Sequence, residues 1–98
     1  MMIIEAIESA ASEHAVYFLA SAYIESLHHF HRSLGMPHSI IVLPLHGVAD
    51  LRQRLAALSN DKNLPMPGMA SILEARAVFG AALARLSAIE SRGAALAA

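Results

Sequence analysis

The stretch Ser9-Ala-Ala-Ser12-Glu-His14-Ala15-Val16-Tyr17-Phe18-Leu19-Ala-Ser21-Ala22-Tyr23-Ile24 decides how this chain folds. It sits in a run without Gly or Pro that lasts until Gly35, so helix propensity favours one long helix over residues 3–33. At about 100° per residue, however, its halves carry apolar stripes on different sides. Ile3, Ile4, Ile7, Ala10, Ala11, Ala15, Phe18 and Ala22 form the first stripe; Val16, Leu19, Tyr23, Leu27 and Phe30 form the second, nearly opposite. A single helix of this kind needs a different neighbour for each half, one of which could be another chain. The alternative is a break in residues 9–12, where a serine caps a second helix. The uninterrupted helix is the expectation.

Working outward, Gly35 and Pro37 end the first helix, and residues 40–43, Ile-Ile-Val-Leu, form an apolar connector or an early helical turn. An isolated run of four with no second strand to pair with does not make a sheet. The second helix is predicted over residues 45–59, with Val48, Leu51, Leu55 and Leu58 on one face. Residues 60–63, Asn-Asp-Lys-Asn, make a turn that Leu64 to Gly68 extend. The third helix starts between Pro67 and Ser71, whose Ser-x-x-Glu spacing to Glu74 is a capping pattern, and continues to Arg92. Ile72, Phe79, Leu83, Leu86 and Ile89 form its large apolar face. Beside them lies a small-residue face of Ala77, Gly80, Ala81, Ala84 and Ala88, which lets another helix approach closely. Residues 93–98 read as a frayed tail.

The 98 residues are read as one all-α domain with 56% apolar residues, against about 45–50% in ordinary chains. A chain this short buries only about 60% of its unfolded surface, so apolar area is left for a partner, most simply a second copy in a dimer. The expected architecture is three main helices with a long first one, completing a helical bundle by dimerisation. Val16, Phe18, Leu19, Tyr23, Ala77, Gly80, Ala81 and Ala84 are the candidate interface residues.

Composition narrows the chemistry. No stretch reaches the roughly 20 apolar residues that cross a bilayer, and Glu5 and Glu8 stand where a secretory signal would carry positive charge. No membrane association and a cytoplasmic location are expected. Seven Lys+Arg against eight Asp+Glu, without a basic cluster, argue against nucleic acid as a partner. Six of those seven cations are Arg, which together with abundant Ala hints at a GC-rich bacterial coding sequence. The absence of Cys removes disulfides and sulfur-based zinc sites.

The most suggestive chemical motif is Glu25-Ser-Leu-His28-His29-Phe-His31-Arg32, which holds three of the six histidines. Glu25, His28, His29 and Arg32 share a face with Ser21, while His31 points elsewhere. Glu25-x-x-His28 has the spacing used by di-iron carboxylate bundles, but those sites need a second such motif and two further glutamates. A dimer would double the motif; a solvated helix end, with His29 and Arg32 near the negative pole of the helix dipole, explains the same residues. His14 reads as a core or interface histidine, and His38 and His46 bracket the connector.

No nucleophile elbow, phosphate loop or dinucleotide fingerprint occurs. The sequence reading is therefore a non-enzymatic, self-associating adaptor, regulatory subunit or chaperone-like protein that needs no cofactor. Its alternatives are a dimeric metal-binding protein using Glu25, His28 and His29, and a small-ligand site in the dimer core lined by Tyr17, Phe18, Tyr23, Phe30 or Phe79. The metal alternative predicts tight, stoichiometric uptake of Fe or Zn that Glu25→Ala or His28→Ala abolishes. Metal-free protein from a chelator-free purification, measured by elemental analysis, overturns it.

Overall fold

The computed structural model describes residues 2–35, 45–61 and 68–97, with side chains through Gly93. The described residues form four helices and no strand: α1 (Ile3–Glu8), α2 (Glu13–Ser33), α3 (Val48–Ser59) and α4 (Met69–Ala97). The apolar connector at residues 40–43 and His38 lie outside the described residues.

The single helix expected over residues 3–33 is corrected to two helices by the geometry of burial. Ile7 and Val16 are nine residues apart, which on a continuous helix places them about 180° from each other. Both are completely buried. Burying either side chain is worth roughly 1.5–3 kcal/mol, more than the net 0.5–1.5 kcal/mol of a typical backbone hydrogen bond lost at a break. Much of that loss is recovered locally. Ser12 is extended (φ −140°, ψ 159°) and its hydroxyl accepts from the Ala15 N–H at 3.1 Å, capping α2. The backbone N–H of Ser9 still reaches Glu5 O at 3.0 Å, closing α1. From the other end of the chain, Arg85 Nε donates to the Ala10 carbonyl at 2.7 Å.

With the break made, α2 buries one continuous stripe at three- and four-residue spacing: Val16, Ala20, Ile24, Leu27 and His31. His31 belongs to the core face and is 0% exposed. Leu34 and Gly35 finish the helix, Gly35 taking the positive φ of 69° that a left-handed cap needs. α3 begins at Val48, three residues later than the predicted start, because Gly47 sits at φ 99° and cannot be helical. Asp50 then steadies the first turn by accepting the His46 N–H at 2.9 Å and lying 3.7 Å from the largely buried Arg54. Leu51, Leu55 and Leu58 are fully buried, as their spacing predicts, and Val48 packs at their edge.

α4 is the spine. Its 29 residues span about 43 Å at 1.5 Å per residue, most of the molecule's 49 Å length. It starts at Met69, within the predicted window, and Gly93 does not stop it. Each of the other helices packs on it, while α2 also touches α1 and α3. α1 runs parallel to α4 and α2 antiparallel: Arg85 meets Ala10 at one end, and Ile3 and Ser26 flank a groove with Glu74 at the other. α3 is antiparallel too, held by Arg52–Glu90 at 3.0 Å near its start and by Arg76 donating to Asp61 O at 3.4 Å near its end. The side of α4 they cover is centred on Ala75, Val78, Phe79, Ala82 and Leu86.

Ser12→Ala removes an N-cap and is expected to cost about 1 kcal/mol, whereas Ser12→Gly costs a few tenths. Urea unfolding checks both. A stabilising Ser12→Ala, as mid-helix propensity would give, overturns the capped break.

Candidate functional site

The three helices that cover α4 leave its opposite side open. Met69, Leu73, Ala77, Gly80, Ala84 and Ala88 recur at three- and four-residue spacing along that side, and all are exposed. They form an uncharged strip about 28 Å long between the first and last residue. Ala81 stands at its edge, half-buried beside α1. There a hollow of about 220 Å³ opens, lined by Glu8, Ala81, Ala84, Arg85 and Ala88. Gly80 is the central residue. A Cβ placed on it meets nothing within 4 Å, so the fold of this chain does not require glycine there.

The candidate interface residues of α2 do not join this strip. Val16 is fully enclosed in the chain's own core, and Phe18, 67% exposed, points away from the bundle. Leu19 and Tyr23 are half-buried and line a second groove of about 350 Å³ with Ile3, Ala22, Ser26 and Glu74. This groove exists because α1, only six residues long, leaves part of the cleft between α2 and α4 uncovered.

Of the aromatic residues considered for a ligand site, Tyr23 lines that groove. Phe79 backs it from the core with ring centroids 6.0 Å apart. Tyr17 is engaged elsewhere: its hydroxyl lies 3.5 Å from both Leu45 O and Gly47 N, tying α2 to the start of α3. Phe30 is half-buried, its ring 5.9 Å from that of His31. Burial raises the Tyr23 hydroxyl above its ordinary pKa of 10.0, and the nearby Glu74 carboxylate raises it further.

The histidine cluster does not converge. His29 Nε2 and Glu25 Oε1 are 3.7 Å apart in an exposed pair one helical turn long. His28 is half-buried, with its ring 5.6 Å from that of His29 and its Nδ1 without a hydrogen-bond partner among the described residues. His31 lies in the core, and Arg32 faces solvent. Among the described residues, no group of three or more His, Asp or Glu is placed to hold a metal ion. His14 is exposed, which corrects its reading as a core histidine. No described helix is long and apolar enough to cross a membrane.

Sequence reasoning missed two residues that organise these surfaces. Arg85 on α4 holds the α1–α2 turn and lines the smaller hollow. Arg54, a cation on the same helix as the buried leucines of α3, is only 7% exposed. The Arg85 contact was not available from helical periodicity, because Ala10 comes from a distant segment, whereas Arg54 stands at three- and four-residue spacing from the buried Leu51 and Leu58 and from Asp50. Comparison with protein-family models, curated proteins and solved structures gives no match for this chain.

Because the folded chain holds the Tyr23 proton more tightly than the unfolded chain, stability is expected to fall as pH rises past 10.0. Glu74→Gln should lower the Tyr23 pKa while leaving it above 10.0, since burial is the larger cause. NMR titration of the Tyr23 ring checks this; an unmoved titration in the variant overturns the coupling to Glu74.

Proposed function

We propose that this chain is a small non-enzymatic interaction protein, of the adaptor, regulatory-subunit or chaperone-like kind, that associates with itself through the outer side of α4. The observation that carries the reading is the exposed, uncharged strip from Met69 to Ala88 with Gly80 at its centre. Glycine inside a helix costs about 0.5–1 kcal/mol relative to alanine. Among the described residues nothing offsets that cost, since none comes within 4 Å of where a Cβ would stand. Close approach of a second helix backbone offsets it, because small residues let helices pack at the short end of the 8–10 Å interaxial range.

The physical reason for association is the apolar excess of the chain. After α1, α2 and α3 have covered one side of α4, Leu73 and Met69 remain 57% and 67% exposed. Contiguous apolar surface of this kind marks sites of protein contact more often than it occurs without purpose.

Sedimentation velocity at micromolar concentration tests the reading. A species larger than the monomer is expected, and Ala84→Glu should return it to monomer with unchanged helicity, because Ala84 is exposed in the single chain. A monomer throughout that range overturns self-association.

A further inference from the structure

The outer side of α4 is complementary to itself. On the N-terminal side of Gly80, Leu73 projects with 57% of its surface exposed. On the C-terminal side, the hollow of about 220 Å³ reaches from Ala81 to Ala88. Leu73 is seven residues before Gly80, about 10 Å along the axis, and the hollow extends from one to eight residues after it, about 1.5 to 12 Å. A two-fold axis at Gly80 thus carries Leu73 of one copy to a height within the hollow of the other, as a contact between identical surfaces requires.

The charges follow the same symmetry. Glu74 stands six residues before Gly80 and Arg85 five after it, both on the flank of the strip that faces α1. Glu74 forms no hydrogen bond or ion pair among the described residues, and Arg85, which donates through Nε to Ala10, forms no ion pair. Two antiparallel copies of one helix bring like flanks together. Each Glu74 then comes opposite an Arg85, whereas parallel copies would bring unlike flanks together and set every Glu74 and Arg85 apart.

We infer that two copies of this chain pack their α4 helices antiparallel about a two-fold axis at Gly80, each Leu73 entering the hollow beside the other's Arg85. The inference rests on the self-association proposed above and specifies its geometry. Ala77 then meets Ala84, and Gly80 lies against Gly80 at the closest approach. Glu8 borders the hollow, and Arg85 stands with it there to meet the incoming Glu74. A contact one helix wide and about 28 Å long is at the small end of specific interfaces, the class to which weak and transient associations belong.

The chain has no cysteine, so single thiols report the arrangement directly. Gly80→Cys is expected to form a disulfide-linked dimer under mild oxidation at micromolar concentration. Ser91→Cys, exposed on the same side, is not. In the antiparallel pair its two copies are about 33 Å apart, far beyond the roughly 7 Å Cα separation a disulfide tolerates. Cross-linking at both positions means parallel packing and overturns the inference. A dimer by sedimentation without Gly80→Cys cross-linking also overturns it while leaving self-association intact.

A charge exchange supplies a second test. Glu74→Arg alone should weaken the dimer at least tenfold, and so should Arg85→Glu. An equimolar mixture of the two should recover wild-type affinity, because both opposed pairs become complementary. Failure of the mixture to recover, with both variants folded, overturns the pairing. Should Arg85→Glu fail to fold through loss of its bond to Ala10, the thiol pair decides.

Discussion

Ile7 and Val16 are both completely buried, and a straight helix, which puts them on opposite sides, could not bury both against α4. The rest of the structure depends on that constraint. The chain meets it by stopping α1 at Glu8 and restarting at Glu13, with Ser12 as the cap of α2. A short α1 can then lie parallel to α4 while α2 runs antiparallel to it, and each buries its own stripe. Arg85 reaches across to the Ala10 carbonyl, so a backbone acceptor exposed by the break is held by the helix on which both segments pack.

That arrangement also sets what remains outside. α1, α2 and α3 fan over one side of α4, with α2 between the other two. The covered side takes Val78, Phe79 and Leu86, and the open side is left with Leu73 and a row of small residues. The shortness of α1 leaves two hollows at its margins, one at Tyr23 and Glu74 and one at Ala84 and Arg85. The proposed contact between two copies therefore uses surface that the break in residues 9–12 creates.

The histidines illustrate how a motif dissolves once a helix is placed. Glu25 and His29 keep their four-residue spacing and pair in solvent, while His31, two positions on, turns about 200° and enters the core. The cluster seen along the sequence is thus divided between two environments, one wet and one dry. Its residues share a segment of chain without sharing a site.

Helical class, the buried leucines of α3, the approximate bounds of α4 and its small-residue side were legible in the sequence, because each follows from periodicity and from Gly and Pro along one segment. The two competing stripes of residues 3–33 were legible as well, as a conflict. Its resolution was not: propensity favours continuing the helix, and only simultaneous burial of Ile7 and Val16 against α4 makes the break the lower-energy answer. The same holds for Arg85 at Ala10 and for the complete enclosure of Val16 in the chain's own core. Periodicity fixes which residues share a face of one helix. Tertiary packing alone decides which face meets another helix, because that choice is a balance of burial among segments far apart in the chain.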